Sequence, residues 1–187
     1  MDENGKFRGL VMEPDLTQGL DCYVDSDYAG LFGYEDDQDP VSVKSRTGFT
    51  LTLFSCPLLW SSKLQSDISL SLTAAEYIAF SAAMRELIPM RRLVEELGQL
   101  MSLEITQPSL VCSTVFGCLA LVKCTKMSPR NKYLALKYHF FRSSLGTKNG
   151  NGIVAKCIRS EVQKADIFTK SLPKKDFLRI RLLVMGW

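Results

Sequence analysis

Four carboxylates stand on or beside segments of regular periodicity in this chain: Asp25 and Asp27 at the end of one run, Glu76 in the first turn of another, and Asp166 inside the string KADIFTK. An acid at a strand end, a second on a helix and a third near the C-terminus can converge on divalent metal ions. Two such ions about 3.5–4 Å apart activate a water and stabilise the leaving oxygen in phosphodiester hydrolysis. Each residue also has a plainer role: Asp25 and Asp27 as turn formers, Glu76 as part of a helix cap, Asp166 as an acid at a helix N-terminus. On spacing alone the plainer roles outweigh the joint one.

The elements that must position these acids are legible from periodicity. Residues 20–26, LDCYVDS, alternate as a strand, with Leu20, Cys22 and Val24 on one face and Asp21, Tyr23 and Asp25 on the other. A Gly- and Asp-rich loop follows. The β-branched and aromatic run 47–55 and the segment 57–62 read as a hairpin turning at Ser55–Cys56–Pro57, with Trp60 expected in the core. Residues 73–87 form a helix in which Thr73 is the expected N-cap and Glu76 stands at the capping-box position. Pro89 is expected to break or kink it, and a second helix runs over 90–98 to Gly98. A fourth strand (109–116), a short helix (117–122), a helix over 131–145 with Tyr138 and Phe141 on an aromatic face, a fifth strand (153–158) and two short helices (162–169, 174–184) complete the order. Residues 1–19 read as a linker. The pattern is that of an α/β or α+β domain with an early antiparallel hairpin.

Composition narrows the classes. At 187 residues the chain has room for one well-cored domain, and no apolar run reaches the roughly 18–20 residues that a membrane span needs. Its N-terminus is polar and acidic, unlike a secretory signal, which places the protein inside the cell. Six cysteines contain no CxxC pair and His139 is the sole histidine, so neither a Cys/His zinc site nor a disulfide framework is expected, and the thiols read as reduced and mostly buried. The net charge of +3 conceals an asymmetry: residues 1–40 carry eleven acids against Lys6 and Arg8, whereas residues 105–160 carry nine bases and no acid. Such a division suits a metal-dependent nucleic-acid enzyme, although two solvated faces explain it as well.

The strings YVDSDYAG, SRTGFTLTL, WSSKLQ, SLTAAEYIAFSAAMRELIPMRRLVEELG, KYHFFR and KADIFTKSLP, taken in order over residues 20–185, closely resemble the ribonuclease H domain of copia-type retrotransposon Pol polyproteins. The resemblance implies a ribonuclease H-like fold over 20–187, a five-stranded mixed sheet flanked by helices, with 1–19 as the tether from an upstream reverse transcriptase domain of the same polyprotein. It implies hydrolysis of the RNA strand of an RNA–DNA hybrid with two magnesium ions, manganese being an alternative. Carried over by motif, Asp25, Glu76 and Asp166 become catalytic metal ligands.

One departure matters. The family's remaining carboxylate follows the fourth strand, where this chain reads VCSTVFGCLALV. Similar elements carry an acidic Glu-Asp-Asn-Asn stretch between the Phe and the Gly, whereas here Phe116 runs directly into Gly117. An in-frame loss of about four residues, roughly one helical turn, accounts for this. No acid lies between Glu104 and Glu161 to replace it. Loss of a ligand implies weak metal binding and a rate loss of order 10³ or more. A hybrid-binding surface of Lys63, Arg85, Lys126, Arg130 and Lys132, with Arg91 and Arg92 as further candidates, is expected to contact phosphates without sequence preference. The alternatives are a nuclease using Asp27 as a substitute ligand, and a non-catalytic nucleic-acid-binding or interaction module.

Overall fold

The run Leu20–Asp27 becomes the central strand, β1, because cover arrives on both of its faces. A computed structural model of the chain describes residues 9–34, 38–102, 107–124, 129, 132–138, 140–146 and 152–187. β1 is followed by β2 (Arg46–Leu53), β3 (Cys56–Leu64), the long helix α1 (Leu72–Leu100), β4 (Ser109–Ser113), α2 (Phe116–Lys123), α3 (Lys132–Tyr138), β5 (Ile153–Cys157) and α4 (Lys174–Met185). Short 3-10 segments lie at Phe140–Ser144, Ser160–Val162 and Lys164–Phe168. The strand order is β3-β2-β1-β4-β5; β1 pairs antiparallel with β2 and parallel with β4, and β5 is parallel to β4. This is the five-stranded mixed sheet expected.

One face of the sheet supplies the main core. Leu20, Cys22, Val24, Phe49 and Leu51 pack with Tyr77, Phe80, Met84 and Leu87 of α1, and Phe141 closes the cluster with its ring 5.1 Å from that of Phe80. The expected aromatic face at Tyr138 and Phe141 is buried accordingly. On the other face of the sheet, alternation turns Asp21, Tyr23 and Asp25 towards the segment Lys164–Phe168. Of the six cysteines, none in a disulfide among the described residues, Cys22, Cys112 and Cys118 are buried, Cys56 and Cys124 half-buried and Cys157 exposed, so burial is less general than the sequence predicts.

Four other expectations are corrected. Helices over 73–87 and 90–98 are one helix, continuous through Pro89. Proline removes one backbone donor and crowds the preceding turn, but Leu87, Val94 and Gly98 keep the buried face in phase beyond it. Arg91 adds an anchor by donating to Ser109 Oγ at 2.7 Å. The N-cap is Ser71, not Thr73: its side chain accepts from Ala74 N at 3.1 Å. Glu76 therefore lies beyond capping-box reach and is released for another partner. Trp60 is 53% exposed because β3 is the edge strand; Pro57, which cannot donate to a ladder, is tolerated there for the same reason. The hairpin turns at Phe54 and Ser55, both at positive φ, so the turn starts one residue earlier than predicted and β3 already includes Cys56 and Pro57.

Residues 9–19 lie against this body. Val11 N donates to Met185 O at 3.0 Å, Trp187 Nε1 to Gly9 O at 2.8 Å and Asp15 N to Phe54 O at 2.8 Å. Among the described residues no helix is long and apolar enough to cross a membrane.

Candidate active site

The register of β1 and β2 places Asp25 opposite Gly48. A Cβ at position 48 would stand 2.5 Å from Thr169 Cγ2 and 3.2 Å from Ala165 O, so only glycine lets the C-terminal segment settle onto the sheet there. That segment is pinned by Gln163, fully buried, whose Nε2 donates to Val24 O at 2.9 Å and to Cys112 O at 3.4 Å. Ser62 Oγ donates to Phe168 O at 2.6 Å and fixes its far end. Asp166 and Thr169 thereby reach Asp25, with Thr169 Oγ1 donating to Asp25 Oδ2 at 2.5 Å.

Glu76 enters from α1. Gln65 holds the start of that helix, its Nε2 donating to Ala75 O at 2.9 Å and to Thr47 Oγ1 at 3.1 Å while Ser69 Oγ donates to its Oε1 at 2.7 Å. Glu76 Oε1 then accepts from both Ser26 N and Ser26 Oγ at 3.0 Å, and Ser113 Oγ, at the end of β4, donates to Oε2 at 3.4 Å. The three acids are thus brought to one edge of the sheet, at the ends of β1 and β4.

Their electrostatics show that they feel one another. Burial, then the Asp25 charge, pushes the Glu76 carboxyl up to about 7, against the pull of the Ser26 hydrogen bonds and Lys170. Burial, then Asp25, lifts Asp166 to about 6, opposed by Lys170. Asp27 is raised by burial; its carboxylate is folded onto Gly30, where a Cβ would clash with it. Lys170 Nζ lies 3.2 Å from Asp25 Oδ2 and 3.1 Å from Asp166 Oδ1. The two carboxylates hold this lysine protonated to higher pH although burial acts the other way.

Ser26, Gly48, Ser113, Gln163, Thr169 and Lys170 are the site residues that the sequence did not single out. The i+4 spacing of Lys170 from Asp166 in KADIFTK is the one signal that was available. Among the nucleic-acid candidates, Lys63 and Arg85 are exposed and line a groove of about 340 Å³ with Thr47, Gln65, Ser66 and Tyr138. Thr47 pairs with Ser26 across β1 and β2, so this groove begins next to the Glu76 side of the acids. Arg85 also stacks over Phe140, 5.6 Å from its ring centre. Lys132 is exposed on α3, apart from that lining; Lys126, Arg130 and His139 lie outside the described residues. Arg91 is engaged by Glu95 at 2.8 Å, and Arg92 is exposed.

The chain is similar to long transposon polyproteins of plants. It is 30% identical over 165 residues, 88% of its length, to the retrovirus-related Pol polyprotein from transposon TNT 1-94 of Nicotiana tabacum. Over 90% of its length it is 29% and 28% identical to those from transposons RE2 and RE1 of Arabidopsis thaliana. Its sequence thus resembles a stretch of copia-type retrotransposon Pol polyproteins, and its fold is ribonuclease H-like. It spans only 11%, 11% and 10% of those three relatives. The fold agrees. The N-terminal ribonuclease H domain of a Mycobacterium tuberculosis protein superposes with a TM-score of 0.51 at 13% identity, covering 81% of this chain and 90% of that one. A ribonuclease H1 isolated from compost does so with a TM-score of 0.51 at 17% identity, covering 81% and 92%. No family model matches the sequence.

The ribonuclease H-like fold implies divalent metal ions at such an acid cluster, and the donor set of this chain does not fit them. Among the described residues no three His, Cys, Asp or Glu side chains are disposed to share an ion. The Lys170 ammonium spans the gap between Asp25 and Asp166. The residue that β4 offers to Glu76 is a serine, a neutral donor that presents no carboxylate oxygen.

Proposed function

We propose that this domain is a copia-type ribonuclease H module that binds RNA–DNA hybrids but cleaves them weakly or not at all. The observation that carries the reading is the acid cluster itself: Asp25, Glu76 and Asp166 meet at the ends of β1 and β4, where β4 offers Glu76 only the neutral hydroxyl of Ser113. Two-ion hydrolysis needs ligands that place both the attacking and the leaving oxygen. Three acids with a lysine among them are a poor set for that. The β4–α2 connection is two residues long, Thr114 and Val115, and no acid stands on either element. A carboxylate lost at this junction, by the short deletion read between Phe116 and Gly117, is our account of the defect.

In this reading Asp25, Glu76 and Asp166 are what remains of the metal site, with magnesium or manganese weakly held. Lys63 and Arg85 in the groove beside Glu76, with Lys132, Lys126 and Arg130, supply phosphate contacts. The reverse transcriptase domain of the same polyprotein is the partner in cis, joined through residues 1–19, of which 9–19 are held on the folded unit 20–187, and the domain works inside the cell in the cytoplasm or nucleus. The test is a labelled hybrid incubated with magnesium or manganese. Salt-sensitive retention without cutting is expected. Metal-dependent cutting that disappears in Asp25→Asn contradicts the reading.

A further inference from the structure

We infer that Lys170 is the resident cation of the acid pocket: its ammonium takes the position between Asp25 and Asp166 that a divalent ion would need, and the domain folds around it without metal. The inference rests on the acid cluster of the proposed function but not on whether hybrids are bound or cut.

Geometry supplies the first support. One nitrogen lies 3.2 Å from Asp25 Oδ2 and 3.1 Å from Asp166 Oδ1, so it bridges acids from two distant parts of the chain. Its place is set by the same short segment that brings the acids together. Asp166 lies one turn before it, Thr169 beside it ties Asp25 through a 2.5 Å hydrogen bond, and Lys170 N donates to Asp166 O at 3.2 Å. The cation is therefore built into the turn that assembles the site.

The second support is the charge balance. Asp25 and Asp166 are both buried and both face the one ammonium, so a single cation offsets two desolvated carboxyl groups at once. A tethered ammonium acts at high effective concentration, of millimolar order or above, so a free divalent ion has to displace it rather than fill a gap. Glu76 is already satisfied by Ser26 and Ser113 and does not call for a second cation. Among the described residues Asp166 Oδ1 has no hydrogen-bond partner other than the contact with Lys170, so removal of the ammonium leaves a buried acceptor facing its neighbour's charge. Lys170 retains partial solvent access, with its side chain 38% exposed, which gives it a path out of the pocket.

The experiment is manganese binding to the full chain, read from the electron paramagnetic resonance signal of the free ion, for the wild type, Lys170→Met and Lys170→Arg. Lys170→Met is expected to bind manganese about tenfold more tightly or better, since a bound positive charge beside the ion has gone. Lys170→Arg is expected to behave as the wild type does. A wild type that binds manganese as tightly as Lys170→Met overturns the inference. If Lys170→Met does not fold in chelator, the double variant Lys170→Met, Asp166→Asn removes the cation together with one acid. It is expected to fold and to ignore manganese; failure of this variant to fold shows that Lys170 acts by packing and not by charge, which also overturns the inference. Retention of a labelled hybrid in chelator is measured alongside. Tight manganese binding by a wild type that retains hybrid without cutting it removes the Lys170 inference alone. A metal-indifferent wild type that fails to retain hybrid removes the proposed function alone.

Discussion

Glu76 and Asp166 carry opposing demands within single side chains. Each is buried beside Asp25, so ionisation costs more in the folded protein than in the unfolded chain, lifting them from 4.5 to about 7 and from 3.8 to about 6. Because both folded values lie above the unfolded ones, their stabilising contribution is complete at acid pH, below the unfolded values, and is lost as pH rises through the folded values. In chelator the melting temperature is therefore expected to fall between about pH 4 and pH 7, and Glu76→Gln is expected to flatten the upper part of that fall. A melting temperature constant across this range would show that the two acids are solvated. Ser113 offers a second test at this scale. Ser113→Asp adds an acid beside Glu76, so the variant is expected to melt lower than the wild type in chelator and to be raised by manganese, as binding to the native state alone requires. A variant indifferent to manganese would place Ser113 outside the pocket. Asp25, Glu76 and Asp166 were legible because each lies in a distinctive string; Ser113 and Lys170 were not, since a serine at a strand end and a lysine after a helical turn are ordinary until the fold aligns them.

The strands and the helices differ in how far local pattern decided them. β1 follows from alternation and β2 from its β-branched and aromatic run, and neither needs long-range information. The long helix shows where local rules yield. Pro89 argues for two helices, yet the buried face of α1 continues from Leu87 to Val94 and Gly98, and the packing of that face outweighs one lost backbone bond. Pro89 is exposed, so Pro89→Ala is expected to restore that bond without disturbing the core and to raise stability by about 1–3 kcal/mol in chemical denaturation. A loss of stability would mean that the chain depends on a kink at this point. The N-cap was misplaced for a related reason. Thr73 and Glu76 have capping-box spacing, but Ser26 on the adjacent strand is the better partner for a carboxylate, and Ser71 is left to cap the helix. Trp60 reads as core by residue type, and only the strand order reveals that β3 is an edge.

At the scale of the molecule, the sheet gathers acids at one edge, and the groove with Lys63 and Arg85 opens beside them. Contacts from these bases to phosphates would position a duplex without reading its sequence. Lys63→Ala and Arg85→Ala are each expected to weaken hybrid binding equally for unrelated sequences and to reduce the slope of log affinity against log salt by about 1. Sequence-dependent losses would point to base contacts instead. The overall division of acidic and basic blocks was visible in the sequence, but which bases line the groove depends on the crossing of α1 over β2 and β3, a tertiary fact that composition does not carry.

In this reading three acids share one pocket whose cation is a lysine. Anomalous scattering from crystals of the wild-type chain soaked in manganese tests it most directly. Asp25, Glu76 and Asp166 are expected around a common pocket, with the Lys170 side chain between Asp25 and Asp166 and no manganese peak there. A pair of manganese peaks held by those three carboxylates, with Lys170 turned away, would contradict it.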